Sequence, residues 1–354
     1  MNAVKKLLNR IFIDGMTGMA HGLFATLIIG TIIQQIGNMI GGQMGNHIFM
    51  MGKVAAALTG AGIGVGVACR FKESNLVVLS AATAGMVGAF ASKILAGAVL
   101  VDGAMVFSGP GEPLGAFLAA YVGIECGRLL AGKTKIDIIV TPLITIGVGS
   151  AVGLVLGPPI SKFMGMLGEM INWGTEQQPL LMGIVVSVLM GMILTLPISS
   201  AALGVILKLS GLAAGAATVG CCCNMVGFAV ASYRENKMGG LLAQGVGTSM
   251  LQVPNIMRKP IIWLPAILSS AILGPVGTVI LKMANNPTGS GMGTAGFVGQ
   301  IMTWQTMTAT EAPEIVMFKI MLIHIILPAV VTLLISEFMR KKGWIKHGDM
   351  KLDL

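Results

Sequence analysis

Apolar stretches close to the ~20 residues that a helix needs to cross a bilayer recur along this chain from end to end. They fall at 17–37, 53–69, 76–92, 112–131, 136–158, 179–197, 211–231, 239–257, 260–283 and 313–336. In hydrocarbon a segment must satisfy its own backbone polar groups, which leaves helices or closed barrels. No strand-like alternation of apolar and polar residues interrupts these runs, so they read as helices. Charged residues make up 10% of the chain and mean hydropathy is +0.86. Soluble domains carry about 25% charged residues, so too few are present to cover a water-facing surface. The expectation is an all-α polytopic membrane protein of about ten transmembrane helices. Its 50 glycines fit close helix packing in lipid, where small residues let backbones approach.

Ten spans place both termini on one side, and the positive charges test that arrangement. With a cytoplasmic N-terminus, Lys5, Lys6, Arg10, Arg70, Lys72, Arg128, Lys133, Lys135, Lys208, Arg258, Lys259, Arg340, Lys341, Lys342, Lys346 and Lys351 fall inside. Lys53, Lys93, Lys162, Arg234, Lys237 and Lys282 fall outside, and Lys319 lies within the last span. The bias obeys the positive-inside rule. It explains the net charge of +9 as membrane orientation and removes the case for nucleic acid. The N-terminus lacks the apolar core and cleavage site of a signal peptide. A bacterial cytoplasmic membrane location with both termini inside is therefore expected.

Two further segments, 94–109 and 286–306, are apolar and Gly-rich but interrupted, and read as re-entrant hairpins. The chain also matches itself weakly. Residues 67–87 align with 230–250, Gly22 and Gly30 with Gly183 and Gly191, and Gly109-Pro110 with Gly274-Pro275. The expected organisation is a cytoplasmic start (1–16), two inverted membrane repeats (17–178 and 179–338) and a basic tail (339–354). Such repeats commonly hold a binding site at their interface.

The stretch "NNPTGSGMGTAGFVGQ", residues 285–300, contains a GxGxxG at Gly291, Gly293 and Gly296. A dinucleotide loop needs a preceding strand and a βαβ unit, and a membrane span precedes this one. Two readings then stand. One is an ordinary extracellular loop. The other is broken backbone lining a watery cavity, the only setting that tolerates it at membrane depth. On the second reading Asn286, Thr288, Ser290, Gly293, Thr294 and Gln300 contact a solute, with a short helix starting near Thr294.

Other candidates lie at helix breaks or along polar stripes. Gln34, Gln35 and Asn38 end the first span, and Thr195, Pro197, Ser199 and Ser200 end the sixth. Gln244, Thr248, Gln252 and Asn255, spaced by four, four and three, form one stripe of the eighth span, with Asn224 placed to point the same way. Helix–helix hydrogen bonding explains that stripe equally well. Glu112, in "SGPGEPLG", starts a span, where an ionisable group is costly and often marks a solute path. An interfacial loop is the competing reading, and Asp102 shares the ambiguity. Glu125 and Arg128 read as a local ion pair. Collected, the expected solute-binding residues are Gln34, Asn38, Glu112, Asn224, Gln244, Gln252, Asn255, Asn286, Thr288, Ser290, Gly293, Thr294 and Gln300.

No catalytic constellation stands out. His324 and Lys319 lie five apart in the last span and do not share a helical face. The cysteines Cys69, Cys126, Cys221, Cys222 and Cys223 show no zinc or disulfide spacing. The run "GCCCNMVG" reads as small packing residues. No metal and no cofactor are expected.

At "NPTGSGMGTAGFVGQI" (286–301) and "GPGEPLGAF" the sequence resembles the type-2 membrane component (EIIC) family of the phosphotransferase system. That family includes perfringolysin O regulator-like membrane proteins. The likeness runs over nearly the whole chain. It implies a sugar-type permease, a homodimer, and a solute held among broken helices. Such permeases work with a phospho-carrier whose Cys or His passes phosphate to the incoming sugar. No cysteine here sits in such an acceptor loop, so either separate phospho-carrier proteins supply the phosphate or transport proceeds without it. The reading is a carrier for a small polar solute by alternating access, and the alternative is a membrane sensor that binds a ligand and signals through a partner.

Overall fold

The computed structural model describes residues 3–101, 103–107 and 109–352, with backbone alone for 3–5, 202 and 206. Asp102 and Ser108 lie outside the described residues. Contacts divide the chain into Met1–Met164 and Gly165–Leu354, and each unit is described by itself.

The first unit is a succession of antiparallel helices closed on one another by glycines. Helix α1 (Lys6–Ile40) is followed by α2 (Gly42–Ala57) and α3 (Thr59–Arg70), which are bent by 53° at their junction. Gly37 of α1 lies against Gly45, Gly30 against Gly52, and Gly18 against Gly66, so α1 meets the returning pair backbone to backbone along its length. Helix α4 (Asn75–Ala89) packs on α5 (Pro113–Leu130) through Gly88 and Gly115, and α5 on α6 (Asp137–Thr175) through Gly123 and Thr145. Residues 137–164 of α6 belong to this unit and already span about 42 Å, beyond the ~30 Å hydrocarbon core. Arg10 ties one end of the unit together, bonding Glu73 at 2.9 Å and Glu125 at 2.6 Å. The expected Glu125–Arg128 pair forms at 2.7 Å.

The segment 94–109 differs from its expectation. It carries β1 (Leu100–Val101) and β2 (Ala104–Met105), paired antiparallel, and their side chains are exposed. A turn at Gly103, with φ +77°, makes this hairpin; before it Val99 is buried, and after it Phe107 stacks on Phe90 with ring centroids 4.9 Å apart.

In the second unit the central element is α9 (Gly211–Ala231), buried from Ala214 almost to its end. Its ends serve as landmarks. Helix α7 (Pro179–Thr195) runs alongside α9 in the same sense. Gly220 meets Ser187, the Cys221 thiol approaches Met190 O at 3.6 Å, and the Thr195 hydroxyl donates to Asn224 Oδ1 at 3.1 Å. Past Thr195 the chain turns back through the short α8 (Ser200–Ile206), and so begins α9 at the end where α7 began. Residues 179–210 are thus a hairpin open at the Gly211 end, with its tip level with Asn224.

A second hairpin is open at the same end. Asn285 N–H bonds Gly211 O at 3.2 Å, Thr218 reaches Gly289 O at 3.5 Å, and Thr294 approaches Met225 Sδ at 3.6 Å. Helix α13 (Val298–Met307) then leads back, returning Thr306 to within 3.5 Å of the Asn286 amide. A third hairpin opens at the Ala231 end. It descends through α10 (Tyr233–Leu242) and a π-helical turn at Ala243–Gly247. Thr248 is extended, its side chain caps Met250 N–H at 3.1 Å, and the chain returns as α11 (Val253–Arg258). Two long helices complete the unit: α12 (Pro260–Ile280), antiparallel to α9, and α14 (Pro313–Lys341), parallel to it. Between them lies α13 (Val298–Met307).

These hairpins correct the expected spans. Residues 239–257 do not run as one helix, and 179–197 is not the antiparallel neighbour of 211–231. Among the described residues six helices are long and apolar enough to cross a membrane, or seven with the bent α2–α3 pair. A hairpin buried in protein is as apolar as a crossing helix, so hydropathy does not separate them. The matched Gly-Pro pairs also sit differently, Gly109-Pro110 before α5 and Gly274-Pro275 inside α12.

The C-terminal segment clamps the third hairpin. Asn236 donates to Met350 O at 2.9 Å and accepts from Leu352 N–H at 2.8 Å. Ile345 and Met350 pack with Phe228, Ile256 and Ile262. Burial opposes ionisation of Asp349. The Lys259 ammonium and Lys346 N–H nevertheless both bond its Oδ2 at 2.6 Å, with Lys259 and Arg340 adding positive charge, and they hold the carboxyl below its ordinary 3.8. A depressed carboxyl contributes stability above its unfolded value and loses it as pH falls through the folded one. Hydrogen exchange of residues 345–352 is expected to stay protected down to the ordinary carboxylate range and to open below it. Asp349→Asn is expected to be partly open already at neutral pH; equal protection in both proteins would remove Asp349 from the clamp.

Candidate functional site

The three hairpin tips converge halfway along α9. Thr195, at the first tip, shares a 2.8 Å hydrogen bond with Ser249, at the third. Asn224 lies beneath them and is fully buried. Its amide donates to Gly220 O at 3.1 Å and Ser270 Oγ at 3.3 Å. Its carbonyl accepts from Thr195 and, at 2.9 Å, from the Trp263 indole N–H. The second hairpin brings Thr294 against Met225, one residue further on. The network contains amides, hydroxyls and an indole, and no charge. Such groups suit hydrogen bonding to a neutral polar molecule and offer no nucleophile–base pair.

The glycines of 285–300 are used for packing. A Cβ on Gly291 would overlap the Ser200 carbonyl, while the Ser200 hydroxyl donates to Gly291 O at 2.6 Å. Gly293 has φ +51°, and a Cβ there would lie 2.8 Å from that of Cys221. The first and second hairpins therefore meet backbone to backbone, and neither glycine is left to cradle a phosphate. Asn286 caps the turn Pro287–Ser290 by accepting from Gly289 N–H at 3.1 Å. A short 3-10 turn, Ala295–Phe297, does begin just after Thr294, and the chain then passes through Phe297 at φ +58° into α13 at Val298. A bulky residue in the left-handed region is a strained tip.

The expected site residues are distributed unevenly. Asn224, Ser290, Gly293, Thr294 and Gln300 gather around α9, and the amide of Gln300 bonds Cys222 Sγ and His324 Nδ1 at 3.4 Å each. Asn286 stands near the open end of the hairpin and Thr288 is exposed. Gln244, Gln252 and Asn255 come together because the third hairpin folds back, not as a helical stripe. Gln252 donates to Gln244 at 2.9 Å and to Met350 O at 3.0 Å, and Asn255 donates to Gln252 at 2.9 Å and to Lys351 O at 2.9 Å. Their amides hold the C-terminal segment.

Gln34, Asn38 and Glu112 belong to the first unit. Gln34 donates to Gly30 O at 3.3 Å, Asn38 is exposed, and Glu112 precedes α5 with its N–H on Ala89 O and one buried carboxylate oxygen without a partner. Sequence reasoning noted Thr195 at a break but did not carry it to the site, and it missed Ser249, Ser270 and Trp263, which stand in apolar runs without local signal. No group of three or more His, Cys, Asp or Glu is placed to hold a metal among the described residues.

A family model described as phosphotransferase system, EIIC, matches residues 13–352. The chain belongs to the EIIC family. EIIC proteins are membrane permease components of sugar transport and work with the phospho-carrier proteins of that system, so this is a multi-pass membrane transport component. No curated protein matches the chain significantly.

Proposed function

We propose that this EIIC chain carries a small neutral polar solute, of sugar or polyol type, by alternating access at the hairpin tips. One observation carries the reading: broken segments from opposite ends of α9 meet at its middle through the Thr195–Ser249 bond. Discontinuous helices converging near mid-membrane are how many carriers build their sites. The strained Phe297 tip fits a segment that changes conformation.

The same reading sets the topology. Eight segments cross: α1, the α2–α3 pair, α4, α5, α6, α9, α12 and α14. The hairpins 179–210, 233–258 and 285–307 are re-entrant. Arg234, Lys237, Arg258, Lys259, Arg340, Lys341, Lys342, Lys346 and Lys351 then lie at the Ala231 end of the second unit, whereas Lys208 and Lys282 lie at the other. In the first unit Lys5, Lys6, Arg10, Arg70, Lys72, Arg128, Lys133 and Lys135 gather at the end where Arg10 bridges Glu73 and Glu125. These ends are cytoplasmic by the positive-inside rule, in the bacterial inner membrane. Moving Arg234 and Lys237 inside sharpens the bias that ten spans gave.

Parting of the tips is the step to test. Thr195→Cys/Ser249→Cys is expected to take up one or more of a panel of labelled hexoses and hexitols in proteoliposomes when reduced. Oxidation is expected to stop uptake, and reductant to restore it. Unchanged uptake with the bridge closed would overturn alternating access at this contact. Panel members that bind without ever being accumulated would favour the sensor.

A further inference from the structure

The return arm of the second hairpin packs against α14 at a point where that helix widens into a π-helical turn, Met321–Ile326, carrying His324. Such widened turns are frequent at functional sites. His324 is fully buried, as are Thr303 and most of Gln300. Among the described residues three polar atoms there have no partner: His324 Nε2, Gln300 Oε1 and Thr303 Oγ1. Gln300 and Thr303 stand three apart on α13, on one face, and Gln300 reaches His324 directly at 3.4 Å.

One orphaned buried polar group is costly and three in one place call for a common partner. The chemistry of that partner follows from the donors. With the Gln300 amide nitrogen facing the ring, and such a nitrogen only donating, His324 Nδ1 is assigned as the acceptor and the imidazole proton to Nε2. The cluster then offers one N–H donor at His324, one carbonyl acceptor at Gln300 and a hydroxyl at Thr303 that serves as either. A hydroxyl group, which donates once and accepts twice, complements that set. Among the described residues no carboxylate bonds this group, which disfavours a cation. The nearest basic side chain along α14, Lys319, is engaged by Glu311 at 2.7 Å, which disfavours an anion.

We infer that Gln300, Thr303 and His324 form a subsite for a neutral hydroxyl of the transported solute, with His324 as its donor. The inference rests on the carrier reading of the same hairpins, and the shared chemistry admits a bound water as the other source of the hydroxyl. The test uses full-length protein in lipid with ¹⁵N-labelled histidine. A panel of hexoses and hexitols is titrated while the His324 ring signals are followed, and uptake of the same panel is measured in proteoliposomes. At least one member is expected to move the His324 Nε2 signal. For that member His324→Phe is expected to raise KM about tenfold, the size of one lost buried hydrogen bond, with kcat within about twofold. His324→Gln, which keeps an N–H near the same place, is expected to recover most of the loss.

A His324 signal that no panel member moves identifies the partner as structural water and overturns the subsite, even where uptake proceeds. Uptake with unchanged KM in His324→Phe does the same and leaves the carrier reading standing. A moved signal without uptake of any member keeps the subsite and overturns the carrier.

Discussion

Gly293→Val is expected to unseat the second hairpin and abolish uptake while the protein still reaches the membrane. Gly293 sits at φ +51° with Cys221 where its side chain would be. A β-branched residue held in the left-handed region costs about 1–2 kcal/mol, and forcing bulk into a packed contact costs about 1–3 kcal/mol more. Together these lower the thermal midpoint of the purified protein on the order of 10 °C. Gly239→Ala is the control, because a Cβ there meets nothing within 4 Å and the change is expected to be near neutral. The two variants separate a packing glycine from the general glycine content of the chain. A Gly293→Val protein that melts with the parent would show that the hairpin is not seated against α9 as described.

The membrane class, the helical class and the broken character of 286–306 were legible because each depends on local composition. Continuous apolar runs exclude a soluble surface, and Pro287 beside polar and Gly residues excludes an unbroken span. The other two hairpins were not legible, for a reason visible at Gln244, Thr248, Gln252 and Asn255. Their spacing suits one helical face, but the π-turn at Ala243–Gly247 and the extended Thr248 break the helix between them. What makes the break affordable is remote: Gln252 bonds the Met350 carbonyl, 98 residues away. No window of local sequence contains that partner. The first hairpin hides similarly, since the sense of α7 relative to α9 is set by Gly220 against Ser187 and leaves no trace in hydropathy. Asn224 was legible as a polar residue in an apolar run, but the four neighbours that share its amide come from remote segments and were not.

That saturation makes Asn224→Leu the second large effect. The substitution removes the acceptor of the Trp263 indole N–H and a partner of Thr195 and Ser270 together. The hydroxyls retain other acceptors, Thr195 on Gly191 O at 3.2 Å and Ser270 on Ala266 O at 2.9 Å. Among the described residues no second acceptor meets Trp263, so a half-buried donor is stranded at about 1 kcal/mol. Loss of the remaining bonds brings the expected total to about 3 kcal/mol, with uptake lost because the first and third tips lose their common support. Trp263→Phe removes the stranded donor and keeps an aromatic ring at the position. In Asn224→Leu/Trp263→Phe the penalties are therefore expected to be less than additive by about 1 kcal/mol, read from thermal or denaturant unfolding of the four proteins. Strict additivity would mean that Trp263 does not depend on Asn224. The amide would then be free for a solute, and uptake kinetics of Asn224→Leu would show a raised KM at normal stability instead of a collapsed site.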